Sequence, residues 1–240
     1  VKLGSAIFQM PGRSAAMTAM TAATIDQLCD GRMLLGIGSS GPQVAEGWHG
    51  QRFGKQLQRT REYIAVVRMA LARERVVFDG ETLQLPLPDG PGKALKLTIA
   101  PVQERMPIYL AAMGPGMLRL VGRLADGVFL GLLPIDTIPA AVEAIREAAV
   151  AAGREPGEVT IAMLVRTCLE DDLDLGRESV RASIPLYLTF PGYARHLRSL
   201  GYGAVVEAVR AALERGDQAG AERAIPAELV ERVGVYGSLA

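Results

Sequence analysis

The sequence predicts an α/β fold in which helices cover a parallel sheet. Short apolar runs bounded by glycine or proline alternate with stretches of helical periodicity, and the apolar runs contain almost no polar positions. The alternation favours parallel pairing of the strands. Strands that are apolar almost throughout are typical of a sheet with both faces covered. A (β/α)₈ barrel and an open doubly wound sheet both fit this pattern.

The first predicted elements follow directly from these runs. Strands are predicted at about 2–8, 33–37, 107–111, 127–132 and 159–167. A helix over about 14–29 begins at Ser14 and is ended by Gly31. One face of this helix carries Met17, Met20, Thr24 and Leu28.

The later helices are marked by periodicity and by proline. A longer helix over about 56–75 carries Ile64, Val67 and Leu71 on one face. Pro115 begins a helix that runs to about Ala125. Pro139 begins another, with Val142, Ile145 and Ala149 inward.

Two segments interrupt the alternation. Residues 76–106 predict a loop excursion with a small hairpin, in which Leu83–Leu85 and Leu95–Leu97 are the two arms. Such loops often carry active-site lids. After residue 167 the chain becomes acidic and then helical to about 232, which predicts a helical insertion at about 168–232. At 240 residues the whole chain, 1–240, is predicted to be a single domain.

The composition excludes several classes of function. The formal net charge is zero and the basic residues are spread along the chain, which argues against a nucleic-acid surface. No apolar stretch is long enough for a membrane span. The two cysteines, Cys29 and Cys168, have neither metal-ligand spacing nor a disulfide framework. The cysteine pattern is typical of a cytoplasmic protein, and neither nucleic acid nor membrane is expected as a partner.

Two glycine-rich turns, each directly after an apolar strand, indicate a ligand with a ring and a phosphate. The second turn ends the strand 107–111 and opens a helix at Pro115, whose free N–H groups suit a phosphate. The first turn has GxGxxG spacing at Gly36, Gly38 and Gly41, but no acidic residue ends a strand about 20 residues later, as a dinucleotide site requires. It is better interpreted as a strand end that lets a flat ring approach the backbone.

The sequence contains few acid–base groups that could do chemistry by themselves. Glu46, Trp48 and His49 follow the first turn in one loop, and His196 falls on a predicted helix, where we interpret it as structural. No Ser–His–Asp arrangement, paired-carboxylate motif or metal cluster is visible, so the catalytic residue is unknown and no metal is expected. This pattern favours chemistry done by a cofactor, which the protein orients.

Several runs of the sequence resemble the bacterial-luciferase-like oxidoreductases. The runs that carry the resemblance are Gly12–Leu28, Gly31–Gly38 and Ala125–Val128. The runs Gln9–Ser14 and Ser40–Gly50 resemble the branch that uses the deazaflavin coenzyme F420. The resemblance implies a TIM-type (β/α)₈ barrel in which residue 1 lies on about the third strand. The chain would then span about strands 3 to 7, so the barrel is expected to be incomplete at both ends.

The resemblance also implies site residues by position. Ser5, Ala6 and Ile7 match the segment that backs the deazaflavin ring, with a cis peptide bond corresponding to Ala6–Ile7. The loop beside the ring matches Gly38, Ser39, Ser40 and Gly41. The phosphate-binding turn matches Met113, Gly114, Pro115, Gly116 and Met117. The expected substrate region, above the ring, lies near Gln9, Glu46, Trp48 and His49. One departure concerns the sugar-phosphate dehydrogenases of the family, whose catalytic acid follows the first turn, where this chain has Gly41-Pro42-Gln43.

Three functions remain open from the sequence. The first is hydride transfer between F420 and a small organic substrate, as the resemblance implies. The second is an FMN-dependent monooxygenase of the same superfamily. The third is a flavin-binding protein without turnover. A homodimer or a higher homo-oligomer is expected in each case.

Overall fold

The structure, a computed structural model, describes residues 1–238 and contains two compact units. The sheet unit consists of residues 1–129 and 144–162, and the helical unit consists of residues 130–143 and the chain from 163 onward. The single domain 1–240 stays a prediction, and its last two residues, Leu239 and Ala240, lie outside the described residues.

The sheet and the helices between its strands follow the predicted order. The strands are β1 Leu3–Gly4, β2 Phe8–Gln9, β3 Met33–Gly38, β4 Phe78–Asp79, β5 Gln84–Leu85, β6 Ile108–Ala111, β7 Gly127–Gly131 and β8 Thr160–Leu164. The helices are α1 Ala15–Leu28, α2 Pro42–Gly47, α3 Gln56–Leu71, α4 Pro115–Leu124 and α5 Ile138–Val150.

The main sheet has the strand order β1-β3-β6-β7-β8, and β2 also pairs with β3. The pairings of β1, β2 and β6 with β3, and of β6 with β7, are parallel. The predicted parallel sheet is therefore confirmed. Its centre is fully apolar: Leu35, Ile37, Ile108 and Leu110 are buried.

The first predicted strand, 2–8, is interrupted. β1 pairs with the start of β3, and β2 pairs with its end, Phe8 opposite Ile37 and Gln9 opposite Gly38. Between them the peptide bond Ala6–Ile7 is cis, as the resemblance implied. The hydroxyl of Ser5 donates to the carbonyl of Gly36 (2.8 Å) and accepts from its N–H (2.9 Å). One side chain thus bridges both backbone groups of Gly36 where residues 5–7 leave the ladder.

Helix α1 buries its small residues and not its large ones. Ala15, Ala19, Ala22 and Ala23 are buried, whereas the face with Met17, Met20 and Leu28 is exposed, at 50%, 49% and 83%. Small side chains allow α1 to pack closely on α3 and β3. On α3 the predicted face of Ile64, Val67 and Leu71 is buried.

The predicted hairpin partner in the loop excursion is wrong. β5 pairs antiparallel with β4, Phe78 opposite Leu85, and not with Leu95–Leu97. The cause is the buried carboxylate of Glu62, which accepts from the N–H groups of Glu81 (2.8 Å) and Thr82 (2.7 Å) and from the Thr82 hydroxyl (2.6 Å). These bonds fix the turn between β4 and β5 on helix α3. Residue Leu95 instead accepts from the N–H of Val76 (2.9 Å).

Over the segment predicted as a helical insertion, about 168–232, the structure has mainly helices, and these belong to the helical unit. Its elements are β9 Arg166–Leu169, α6 Leu173–Ala182, α7 Pro185–Leu188, α8 Pro191–Ser199, α9 Gly203–Glu214, α10 Gln218–Arg223, α11 Ala227–Val233 and β10 Gly234–Gly237. The predicted strand 159–167 is two strands, β8 and β9, separated at Val165. The sequence did not indicate β10, which pairs parallel with β9. A cluster that includes Leu188, Leu197, Val206 and Leu229 forms the core of this unit.

Candidate functional site

At the first glycine turn, other atoms of the protein occupy the space that a side chain would need. A Cβ on Gly36 would lie 1.8 Å from the carbonyl O of Ser5, and a Cβ on Gly38 would lie 2.2 Å from Cδ1 of Ile7. Both glycines are therefore required by the close approach of residues 5–7 to β3. This contact places Ser5, Ala6 and Ile7 beside the second half of β3, where Ala6 is exposed and Ser5 and Ile7 are half-buried.

The loop after β3 continues this surface. Ser39, Ser40 and Gly41 are half-buried, and Ser40 has a left-handed φ of 58°. Gly41 then precedes α2, which begins with Pro42. Because Gln9 pairs with Gly38, the end of β2 lies beside this loop. The residues predicted to surround a ring are thus adjacent.

The second glycine turn lies beside the first because the two strands that precede them are neighbours. Ile37 pairs with Leu110, so the carboxyl ends of β3 and β6 meet at one edge of the sheet. Gly114 precedes α4 and has an ordinary φ of −81°. Its Cβ would meet nothing within 4 Å. The protein itself therefore does not require glycine there, and the space in front of the turn is open to a ligand.

Few N–H groups of this turn are used by the protein. Pro115 has none, and those of Met117 and Leu118 donate to the carbonyl of Gly114 (both 3.0 Å). The N–H of Gly116 has no partner among the described residues. A Cβ on Gly116 would lie 3.0 Å from Cδ1 of Leu57, which places the first turn of α3 against this glycine. Met113 is half-buried beside them.

Two of the four expected substrate residues meet. Nε2–H of His49 donates to Oε1 of Gln9 (3.0 Å), and the His49 ring packs against Gly12. The carboxylate of Glu46 accepts from the N–H of Phe53 (3.0 Å) and so holds its own loop. The side chain of Trp48 is 82% exposed and stands apart from this pair.

An open pocket of about 580 Å³ lies next to the His49–Gln9 pair. Three of its residues, Arg13, Arg59 and Tyr63, were not singled out by the sequence. One available signal was the start of α3, where basic residues replace the acidic ones that the helix dipole favours. The pocket is lined by residues 10–15, Ser39, Ala45, His49, Gln51, Gln56, Arg59, Tyr63, Thr82 and Leu83.

Tyr63 supports the pocket as a neutral phenol. Its hydroxyl lies 2.6 Å from that of Thr18 and donates to the carbonyl of Arg13 (3.2 Å). Burial raises the pKa of Tyr63, and the bond to Thr18 and the charge of Arg13 lower it by less. Tyr63 therefore ties α3 to the turn before α1 without ionising near neutral pH.

Two titratable groups lie away from the pocket, Asp126 in the sheet unit and His196 in the helical unit. Burial raises the pKa of Asp126, but bonds from the Ile108 N–H and from Arg68 outweigh it and keep the pKa below its ordinary value. In the helical unit, burial lowers the pKa of His196, whose Nε2 has no partner in the described chain. Among residues 1–238, no group of three His, Cys, Asp or Glu could hold a metal ion. None of the helices in that range combines the length and the apolar composition that crossing a bilayer requires.

Comparison with known proteins identifies relatives of the whole chain. The family model described as luciferase-like monooxygenase matches residues 1–240. A Mycobacterium tuberculosis protein that carries the name of a coenzyme F420-dependent oxidoreductase is 36% identical, over 100% of this chain and 73% of its own length. The 5,10-methylenetetrahydromethanopterin reductase of Methanolobus tindarius is 33% identical over 77% of this chain and 53% of its own length.

A solved structure shares the fold. The coenzyme F420-dependent tetrahydromethanopterin reductase of Methanopyrus kandleri superposes with a TM-score of 0.82 at 23% identity, over 99% of this chain and 71% of that one. The chain thus spans about half to three-quarters of the length of these relatives.

Proposed function

We propose that this chain, which belongs to the luciferase-like monooxygenase family, transfers a hydride between coenzyme F420 and a small organic substrate. The family match confirms the resemblance noted in the sequence, and the matched fold confirms the TIM-type barrel class. That the chain is an oxidoreductase follows from its relatives. The cofactor, the direction of transfer and the residue roles given below are proposals.

The observation that carries the proposal is the juxtaposition of the two glycine turns. They follow two hydrogen-bonded parallel strands, β3 and β6, at the carboxyl edge where barrel enzymes bind their ligands. A compound with a flat ring and a phosphate can contact both turns at once. F420 is preferred over FMN because the names of the relatives at 36% and 33% identity refer to F420 or to a reductase, and the matched structure uses F420.

We assign the residues around the cofactor as follows. Ser5, Ala6 and Ile7 support one face of the ring, and Gly38, Ser39, Ser40 and Gly41 lie beside it. The phosphate is held by Met113, Gly114, Pro115, Gly116 and Met117, where the open space at Gly114 and the unpartnered N–H of Gly116 provide the fit. When bound, F420 supplies or accepts the hydride at its ring.

The substrate is proposed to lie near the His49–Gln9 pair. The bond from Nε2–H of His49 to Oε1 of Gln9 selects one tautomer and leaves Nδ1 as an acceptor. Gln9 keeps its amide N–H₂ as a donor. This pair can therefore orient a carbonyl or hydroxyl group by accepting one hydrogen bond and donating another. Glu46 shapes the loop, and Trp48 is available at its rim.

The principal alternative is an FMN-dependent monooxygenase, and the name of the matched family keeps it open. Titration of the protein with F420 and, separately, with FMN distinguishes the two, with fluorescence quenching as the readout. We expect saturable binding of F420, weaker binding of FMN, and no oxygen consumption with reduced FMN. Tight FMN binding with oxygen consumption would overturn the proposal. Binding of F420 without hydride exchange across a broad substrate panel would instead support a non-catalytic flavin-binding protein.

Two further properties are proposed rather than observed. A cytoplasmic location is consistent with two cysteines that form no disulfide. A homodimer or higher homo-oligomer is tested by analytical ultracentrifugation of the full-length protein. A single monomeric species at micromolar concentration would contradict it.

A further inference from the structure

Three aromatic side chains of the helical unit form a compact cluster. The rings of Tyr187 and Tyr193 meet edge to face with their centroids 5.1 Å apart, and the ring of Phe190 lies 6.3 Å and 6.4 Å from them. All three residues are half-buried. Tyr187 and Tyr193 pack on the core of this unit. The cluster is therefore held on its inner side, and its outer side is accessible.

A guanidinium group without an acidic partner lies on this cluster. Arg166, the first residue of β9, is half-buried and stands over the ring of Tyr187, 4.7 Å from the centroid. Among residues 1–238, no carboxylate lies within ion-pair distance of Arg166, and its side chain makes no hydrogen bond. By contrast, Arg177, which is also half-buried, pairs with Asp174 (2.9 Å). Arg166 thus keeps its charge and its N–H donors for a ligand.

The hydroxyl of Tyr193 is a second polar group without a hydrogen-bond partner in the described chain. It lies beside the carboxyl end of β7, 3.8 Å from the position of a Cβ on Gly131. Burial raises the pKa of Tyr193, and the charge of Arg166 lowers it by less, so the phenol stays protonated near neutral pH and can donate. The residue after Gly131, Leu132, has a left-handed φ of 50°, a strained conformation that clusters at ligand sites.

The end of β7 and Arg166 lie at the corresponding ends of two neighbouring strands. β7 and β8 are adjacent in the sheet, and the N–H of Thr160 donates to the carbonyl of Asp126 (2.9 Å) where both strands begin. Each strand is 5 residues long, so their last residues, Gly131 and Leu164, are level, and Arg166 follows shortly after Leu164. Barrel enzymes bind their ligands at the carboxyl ends of the strands. The guanidinium and the phenol therefore meet where a ligand is expected.

We propose that Arg166 and the hydroxyl of Tyr193 bind a carboxylate of the substrate, with the aromatic cluster against a flat or apolar part next to it. The inference rests on the proposed function and narrows its small organic substrate to an organic acid. A guanidinium offers two parallel N–H groups to a carboxylate, and the single charge of Arg166 matches a carboxylate better than a phosphate dianion. A separate organic acid that regulates turnover has the same chemistry, and the experiment below separates the two sources.

The first test is binding of 4-fluorobenzoate to the full-length protein, measured by ligand-observed fluorine NMR, with 4-fluorobenzamide as the neutral analogue. We expect the acid to bind at least about tenfold more tightly than the amide, because hydrogen bonds to a charged group are the stronger ones. Arg166→Gln should remove this preference. Arg166→Lys should restore part of it, since it keeps the charge but not the planar fork. Tyr193→Phe should weaken binding of the acid by about fivefold, the loss of one hydrogen bond.

The matched control is Arg195→Gln, which removes the same charge from an exposed position of α8, the helix that carries Tyr193. It should keep the wild-type preference for the acid. Equal binding of acid and amide to the wild-type protein would overturn the inference, as would an affinity for the acid that Arg166→Gln leaves unchanged. Tighter binding of 4-fluorophenyl phosphate than of the acid would overturn the assignment to a carboxylate.

Turnover with reduced F420 separates the two sources of the carboxylate. For keto acids and their methyl esters, we expect the wild-type protein to show the lower KM for the acid, and Arg166→Gln to remove that difference with kcat changed less than about twofold. Equal KM values, together with a change in ester turnover on addition of benzoate, would overturn the substrate source in favour of a regulatory acid. No hydride transfer from F420 to any substrate, with the benzoate preference intact, would reject the proposed function and the substrate source while the carboxylate site stood.

Discussion

The two glycine-rich turns look alike in sequence but differ in what surrounds them. At Gly36 and Gly38 the protein's own atoms occupy the place of a side chain, at 1.8 Å and 2.2 Å from the Cβ position. At Gly114 nothing lies within 4 Å of that position. The fold therefore requires glycine at Gly36 and Gly38 and leaves little room at Gly116, beside Leu57, whereas it places no such demand on Gly114. Of these glycines, only Gly114 indicates a ligand by its own geometry, because the space beside it is empty.

The largest expected effect is a loss of stability at the first glycine turn. Gly36→Ala places a methyl group on the carbonyl of Ser5 and should lower the free energy of unfolding by at least about 3 kcal/mol, because backbone must move on both sides. Urea unfolding followed by circular dichroism measures it. A variant as stable as the wild type would show that the two turns do not differ as described.

At the second glycine turn, a substitution should weaken cofactor binding and leave the stability of the fold nearly unchanged. Gly114→Glu puts a carboxylate against the proposed phosphate site and should weaken F420 binding by about a hundredfold or more. Its free energy of unfolding should change by no more than about 2 kcal/mol, the upper end of the range for substitutions at a helix N-cap. Gly114→Ala is the matched control for lost space without charge. If Gly114→Glu binds F420 normally, the phosphate assignment is wrong.

A substitution in the His49–Gln9 pair should lower turnover and leave the affinity for the cofactor unchanged. His49→Ala removes the group proposed to orient the substrate and should lower kcat/KM about tenfold, a modest loss for a positioning contact. The Kd for F420 should stay within twofold of the wild-type value. Arg52→Ala, at an exposed position in the same loop and outside the pocket, serves as the control. A large loss of F420 affinity in His49→Ala would place His49 at the ring and not at the substrate.

The last expected effect is on acid stability, in the loop that borders the pocket. Burial raises the pKa of Glu62, but bonds from Thr82, Gln58 and Glu81 outweigh it and lower the pKa from 4.5 to about 2. Because the folded-state pKa is lowered, this contribution to stability is present above pH 4.5 and is lost as the pH falls towards 2.

Glu62→Gln should therefore flatten the fall of the free energy of unfolding between pH 4.5 and 2. At neutral pH it should cost about 1–3 kcal/mol for the acceptors it removes. Chemical unfolding at several pH values measures both effects. Identical pH profiles for the variant and the wild type would contradict the role given to Glu62, and neither glycine turn should be affected.

Sequence reasoning located the elements and the turns but not their partners. The helices at α1, α3, α4 and α5 and the strands β3, β6 and β7 were predicted because apolar periodicity is a local property. The hairpin was misassigned because its turn is held by Glu62, about twenty positions earlier in the chain. Arg13 lies in the run Gln9–Ser14 and Arg59 lies in a predicted helix, and no local pattern indicates that both line one pocket.

What the sequence determined by itself is the order of strands and helices, the family and the two turns. Those features depend on residue type and spacing along the chain. Only the tertiary structure decided which glycines are filled by the protein and which are open, and which face of α1 is buried. It also decided that Gln9 meets His49. These depend on distances between residues far apart in the chain, such as Ser5 to Gly36, which no local pattern contains.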